Sequence, residues 1–323
     1  CCCTDTGGGR VEQRNLGKSG LRVSAVGLGC NNFGGRIDSA ATRRVVETAL
    51  DLGITFFDAS DTYGDPPGSA EACLGEILGA RRKDIVLASK FARPMDRSGR
   101  HEGASRGYIM AAVEASLRRL RTDWIDLYQQ HQPDPLTPIE ETLRALDDLV
   151  RQGKVRYIGA STLPAWQVVE AQWTATHLGL HHFVSCQEEY SLLARGLDRD
   201  MMPMLKAYDL GLIPFRPLAD GLLTGKYRRG APPPTNTRLG SMPRAAGRNL
   251  NERNWTVVEH LEGFAAERGH RLLDLAFGWL LHRPMVASVI AGATTPEQVE
   301  ENVRAANCGL SAEDLRELDR LTL

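Results

Sequence analysis

Eight short apolar runs alternate with eight amphipathic helical patterns, and no other feature constrains the fold as tightly. The runs cover residues 25–29, 55–58, 85–90, 125–131, 155–161, 183–187, 212–217 and 286–291. Helical spacing covers 39–52, 69–78, 105–120, 138–152, 163–177, 200–208, 255–268 and 296–305. Parallel strands need crossover helices, and strands that alternate with helices imply a parallel sheet covered on its outer face. Eight such units in 323 residues predict a closed (β/α)8 TIM barrel. Local signals agree: Ser105 precedes its helix as a cap, Glu140 and Glu141 sit in a first turn, and Gly53, Gly79 and Gly153 follow helix ends.

The competing architecture is an open doubly wound sheet. It needs a Gly-x-Gly-x-x-Gly turn between the first strand and its helix, and Gly27-Leu28-Gly29 with Gly34-Gly35 has the wrong spacing. Outside the repeat, residues 11–23 read as a short hairpin, 230–251 as a long Pro/Gly/Arg-rich loop, and 272–281 and 312–321 as extra helices. Residues 1–10, which open on Cys1-Cys2-Cys3, are set aside as a disordered tail or cloning remnant, and 11–323 are expected to form one domain. Neighbouring thiols alone make a poor closed metal site, so no metal is expected. Cys30, Cys73, Cys186 and Cys308 are scattered, the usage of reduced thiols in a cytoplasmic protein. Cys30, near the end of the first strand, reads as a small buried hydrophobe. The 39 Lys and Arg nearly balance the 40 Asp and Glu, which gives no reason to expect a nucleic-acid or membrane partner. Oligomeric state is not legible.

In a TIM barrel the site forms at the carboxyl ends of the strands. There the apolar runs give way to Asp58 on strand two, Lys90 on strand three and His131 on strand four, with Tyr63 five residues past Asp58. These types suit proton donation to a carbonyl oxygen as hydride reaches its carbon. A free phenol titrates near 10, and a neighbouring ammonium such as Lys90 lowers that value. Asp58 can hold Lys90, and His131 can orient the oxygen. Each residue alone is more simply a loop or core group. Together on consecutive strand ends they point to a site.

The run Phe56-Phe57-Asp58-Ala59-Ser60-Asp61-Thr62-Tyr63-Gly64, with Ser69-Ala70-Glu71-Ala72-Cys73-Leu74-Gly75 after it, closely resembles the aldo-keto reductase signature. So do the stretches from Thr122 to Asp134, from Gly153 to Ser161 and from Pro217 to Tyr227. The likeness runs from about Val11 to Leu321. It implies a catalytic tetrad of Asp58, Tyr63, Lys90 and His131 and a bound nicotinamide cofactor, NADPH preferred with NADH also possible. In this reading Ser161, Thr162 and Gln187 meet the carboxamide, with Asp58 beside them, and Phe215 stacks on the nicotinamide. The loop of Arg216, Pro217, Leu218, Ala219 and Gly221, with Lys226 and Arg238, cradles the pyrophosphate. Thr294 and Gln298 meet the 2′-phosphate, and Glu301 and Asn302 the adenine. Three positions depart from the family's pattern: Thr162 where Asn is common, Phe215 for Tyr or Trp, and Arg216 for Ser. The implied activity is reduction of an aldehyde or ketone, its alternatives being oxidation of a sugar or secondary alcohol at the same site and a low-turnover cofactor-binding regulatory module. The substrate is not legible. Asn31, Asn32, Phe33, Phe91 and Arg93 are expected to shape its pocket.

Overall fold

A computed structural model describes residues 11–323; the tail, residues 1–10, lies outside the described residues. A hairpin of β1 (Gln13–Asn15) and β2 (Arg22–Ser24) comes first, paired antiparallel with Arg14 opposite Val23. Its turn is wedged against the end of the molecule that carries the strand starts. Gly17 lies at φ 57°, and a Cβ there would come within 2.6 Å of the Asp209 and Gly211 backbone, so only glycine fits.

The repeat follows as β3 (Val26–Gly29), α1 (Ser39–Asp51), β4 (Phe56–Asp58), α2 (Ser69–Leu78), β5 (Val86–Phe91), α3 (Arg106–Leu120), β6 (Ile125–Gln130), α4 (Ile139–Arg151), β7 (Val155–Ser161), α5 (Ala165–Leu178), β8 (Phe183–Glu189), α6 (Met201–Ala207) and β9 (Gly211–Phe215). Then come α7 (Arg238–Ser241), α8 (Pro243–Asn249), α9 (Glu252–Arg268), α10 (Leu272–Leu281), β10 (Val289–Gly292), α11 (Pro296–Ala306) and α12 (Ala312–Thr322). Strands β3 to β10 form one parallel sheet in sequence order, with β10 beside β3. Between β9 and β10 the sheet closes through a bridge: Leu212 N–H donates to Met285 O at 2.6 Å, and Ala287 N–H to Leu212 O at 2.9 Å. The result is the expected (β/α)8 barrel.

Side chains alternate across a strand, so one parity of each strand faces the interior. Phe56, Ala88, Leu127 and Ile213 share one buried cluster with Leu16, Leu21 and Val23 of the hairpin, which plugs that end. Two residues further along the same strands stand Asp58, Lys90, Gln129 and Phe215. Apolar packing therefore fills the lower barrel, and polar groups form the layer above it. The outer strand faces pack on the helices. On α4, Leu143, Leu146 and Leu149 are buried while Glu140 and Arg144 pair at the surface.

Several boundaries differ from the sequence reading. The fourth strand stops at Gln130, so His131 stands just past it, and the seventh stops at Phe215, so Arg216 and Pro217 belong to the following loop. The eighth begins at Val289 rather than 286. Residues 230–251 are not a plain loop: Thr237 accepts from Gly240 N–H to cap α7, and Pro243 opens α8, where its missing N–H costs nothing. Helix α9 starts at Glu252, three residues early, because Asn251 caps it. No helix of the described residues is long and apolar enough to cross a membrane.

Candidate active site

Inward parity and strand ends bring the four predicted residues together at the carboxyl rim. The Lys90 side chain has no exposed surface, and its ammonium donates to Asp58 Oδ2 at 2.6 Å, to Ala59 O at 2.9 Å and to Tyr63 Oη at 3.3 Å. Its three protons are therefore all used. Gln187 Nε2 reaches the second Asp58 oxygen at 2.8 Å and Gln129 Nε2 reaches it at 3.4 Å. A buried charge pair is costly unless its remaining hydrogen-bonding capacity is met, and here it is. Tyr63 sits on a loop that Gly64 turns at φ 93°; a Cβ there would meet Ser69 at 2.7 Å. The Tyr63 and His131 rings meet edge-on, centroids 5.8 Å apart.

One expectation needs correction. Lys90 does pull the Tyr63 phenol down, but burial pushes it up more strongly and Asp58 adds to that, so the net direction is above 10.0. The ammonium offsets the cost of burying a phenolate rather than producing a strongly acidic phenol. Burial, then Lys90 and Arg93, hold His131 well below the usual imidazole range, so its ring is neutral. A neutral imidazole has one donor and one acceptor nitrogen. Its Nδ1 lies 3.1 Å from Ser60 Oγ.

The residues expected at the carboxamide lie beside this group. Ser161 is buried at the end of β7, in register with Gln187. Thr162 adopts φ 57°, a left-handed conformation that asparagine tolerates better than a β-branched residue. Its hydroxyl donates to His131 O at 3.0 Å, so its side chain positions His131. Phe215 ends β9, with the Arg216 guanidinium 5.5 Å over its ring.

The loop after β9 is strained: Arg216, Ala219 and Asp220 all have positive φ, at 52°, 47° and 56°, followed by Gly221 at 102°. Non-glycine residues adopt such angles at a cost and cluster at functional sites. Buried Asp220 gathers cations there. Arg238 Nε stands 3.2 Å and Arg216 Nε 3.6 Å from its Oδ1, while Arg248 and Asn249 engage Oδ2. Arg216 also pairs with Glu189 at 2.8 Å, and Lys226 lies beside Gly221. The Arg36 charge also bears on Arg238. Two carboxylates thus face a larger group of guanidinium and ammonium groups, and this donor set fits a pyrophosphate. Pro217 and Leu218 supply the backbone between them. Sequence reasoning missed Asp220, Arg248 and Arg36; apart from Arg216, the partners of Asp220 lie far off in sequence.

At the other end of the expected cofactor site, Thr294 donates through N–H and Oγ1 to Gln298 Oε1 at 2.8 and 3.1 Å, ahead of α11. Glu297, in the first turn, is held below its usual range mainly by Thr295, and Arg44 of α1 contributes. Asn302 is buried, and Glu301 faces Arg304 at 3.8 Å. Arg44, not singled out in the sequence, places its charge close enough to act on Glu297 at the start of α11. Elsewhere, His270, Asp274 and Cys308 bring donor atoms within 4.8 Å of one another, far along the chain from the tetrad, with Asp274 already paired to Arg271. A groove of about 1160 Å³ opens beside the starts of β7 and β8, lined by Trp173, His181 and Tyr208, and contains no tetrad residue.

Residues 25–322 match the model of the Aldo/keto reductase family. The chain is 36% identical over 326 residues to the L-glyceraldehyde 3-phosphate reductase of Escherichia coli (strain K12), covering 97% of this chain and 92% of that protein. It is 36% identical over 307 residues to a "Probable voltage-gated potassium channel subunit beta" of Arabidopsis thaliana, covering 92% of each. It is 35% identical over 318 residues to the "Uncharacterized oxidoreductase YrpG" of Bacillus subtilis (strain 168), covering 96% of this chain and 95% of that protein.

Proposed function

The chain belongs to the aldo/keto reductase family, nicotinamide-dependent oxidoreductases of carbonyl and alcohol groups, and from that premise we propose that it reduces an aldehyde or ketone with NADPH, Tyr63 donating the proton. The observation that carries this reading is the buried Lys90 ammonium held between Asp58 at 2.6 Å and the Tyr63 hydroxyl at 3.3 Å. When bound, the reduced cofactor supplies a hydride to the carbonyl carbon. The protein's groups handle the oxygen. His131 donates a hydrogen bond to it and fixes its angle. Tyr63 passes its phenolic proton to the oxygen as negative charge develops there, and Lys90 stabilises the phenolate left behind. Asp58 keeps Lys90 in place and keeps it charged. A positioned acid of this kind is worth ~10²–10⁴-fold in rate.

Ser161, Gln187 and Phe215 would hold the nicotinamide. Arg216, Lys226 and Arg238 would hold the pyrophosphate, with Thr294, Gln298 and Arg44 toward the 2′-phosphate and Glu301 and Asn302 toward the adenine. The Arg93 charge, which bears on both Tyr63 and His131, supports a substrate with an anionic group near its carbonyl. The name of the Escherichia coli relative gives that protein such a substrate. The scattered placement of Cys30, Cys73 and Cys186 supports a reducing, cytoplasmic setting. The test is a panel of aldehydes and ketones, phosphorylated and neutral, with NADPH and NADH, read by loss of reduced-nicotinamide absorbance. NADPH oxidation that depends on a carbonyl compound is the expected result.

A further inference from the structure

Ser60 Oγ stands at a junction. His131 Nδ1 lies 3.1 Å from it, Asp61 Oδ1 3.1 Å and Thr62 Oγ1 3.1 Å, and Thr62 N–H donates to it at 3.3 Å. Asp61 is 1% exposed although it carries an ionisable carboxyl. A serine hydroxyl has one proton to give. Whichever neighbour receives it dictates what the others must do.

We propose that Asp61, acting through Ser60, selects which nitrogen of His131 carries the proton, and thereby whether the site favours a carbonyl substrate or an alcohol. The inference rests on the reading of His131 as the group facing the substrate oxygen. When Asp61 is protonated, its O–H donates to Ser60 Oγ, and Ser60 donates to His131 Nδ1. The imidazole proton then sits on Nε2 and donates to a carbonyl oxygen. When Asp61 is ionised, the carboxylate takes the Ser60 proton, because a charged acceptor makes the stronger bond. Ser60 must then accept from Nδ1–H, which leaves a lone pair on Nε2. That lone pair repels a carbonyl oxygen and accepts from an alcohol hydroxyl. The balance is one proton: three are held by Asp61, Ser60 and His131 in the first state and two in the second. The third leaves to solvent, and the imidazole proton exchanges from Nε2 to Nδ1.

The environment puts this change in the useful range. Burial, then Glu71, pushes the Asp61 carboxyl from 3.8 up to about 7, while Ser60, Arg119 and the Thr62 N–H pull it down. From α2 the facing group is Glu71. From α3 they are Arg119, which is tied to Glu71 at 2.7 Å, and Tyr108, whose hydroxyl reaches Asp61 Oδ2 at 3.5 Å. From β6 it is Tyr128. The neutral His131 ring does not itself titrate in this range.

Asp61 and Ser60 are thus positioning residues, and two independent readouts test them. The first is the nitrogen-15 NMR signature of the His131 tautomer in the cofactor-free protein, from acid to alkaline pH. The wild type is expected to move from Nε2–H to Nδ1–H with a midpoint near 7, and Asp61→Asn, whose amide donates like the protonated acid, to stay at Nε2–H. The second is kcat/KM for 4-nitrobenzaldehyde with NADPH and for 4-nitrobenzyl alcohol with NADP⁺. Wild-type reduction is expected to fall and oxidation to rise through that midpoint, each by about tenfold per pH unit on its limb. Asp61→Asn and Ser60→Ala are each expected to lose the neutral inflection. A His131 tautomer that does not change with pH in the wild type overturns the proposal, as does a neutral inflection that persists in both variants. An NMR transition with no carbonyl-dependent NADPH oxidation would leave the switch standing and remove the functional reading.

Discussion

The Lys90 ammonium lies 3.3 Å from the Tyr63 hydroxyl while its side chain has no contact with solvent. A lysine with no exposure stays charged only if opposite charge and acceptors replace water, and Asp58 supplies both. Burial lowers the Lys90 pKa, but Asp58 and Tyr63 raise it, and the net direction is upward. The Lys90 ammonium is therefore a fixed positive charge beside one phenol oxygen, with Asp58 as its counter-charge.

Replacing Lys90 tests that charge. Lys90→Met removes what pulls the Tyr63 phenol down, so the phenol moves further up and the alkaline limb of the pH–rate profile moves with it. Stability suffers too, because Asp58 is left buried without its partner, a cost of about 3–5 kcal/mol. The double variant Asp58→Asn, Lys90→Met removes both charges and is expected to recover much of that stability but not the rate. Melting temperature and the pH–rate profile check the two halves. An unchanged profile in a folded Lys90→Met protein contradicts the assignment.

Cofactor affinity is expected to depend on cations near the phosphates, Arg238 acting at the pyrophosphate common to both cofactors and Arg44 at the 2′-phosphate that sets the preference. Arg238 is paired with Asp220, which holds it in place beside the loop after β9. NADPH is expected to bind more tightly than NADH, and Arg238→Ala and Arg44→Ala to weaken NADPH. A charged contact of this kind is worth roughly 1.5–3 kcal/mol, or about 10- to 150-fold in affinity. Titration by fluorescence quenching reads both. Equal dissociation constants for the two cofactors in the wild type would overturn the preference.

Glu188 offers a stability test outside the tetrad. It is buried beside the Thr162–Leu163 backbone with Oε1 unpartnered, and burial pushes its carboxyl from 4.5 up to about 8. A folded-state pKa above the unfolded value means that the native state binds the proton more tightly. The contribution is fully present below 4.5 and is lost as pH rises through about 8. Glu188→Gln carries no charge to bury, so its advantage over wild type is expected to grow with pH, toward roughly 5 kcal/mol at most in alkali. Thermal melts in acid and in alkali check this. Parallel pH dependence in the two proteins contradicts it.

The proposed tetrad was legible as a cluster because barrel strands are apolar, so a polar residue at a strand end stands out, and because inward parity is shared by neighbouring strands. Asp58, Lys90 and His131 follow from those two facts. Ser60 and Asp61 were not legible as a pair. Nothing in their local sequence links them to His131, which Ser60 meets across 71 positions. Nor was the cluster on Asp220, whose arginines come from residues 216, 238 and 248 and meet only when α7 and α8 fold over the loop after β9. Those helices were hidden because Pro and Gly dilute any periodicity there, although Thr237 and Pro243 are ordinary start signals. The acidity of Tyr63 was misjudged because sequence shows the neighbouring ammonium but not the burial that opposes it.

Proton donation by the Tyr63 hydroxyl is tested by removing that hydroxyl alone. NADPH binding and single-turnover reduction of 4-nitrobenzaldehyde are measured for wild type and Tyr63→Phe. An unchanged NADPH dissociation constant and a reduction rate lower by ~10²–10⁴-fold are expected for Tyr63→Phe. A Tyr63→Phe protein that binds NADPH and reduces the aldehyde at near the wild-type rate would contradict that donation.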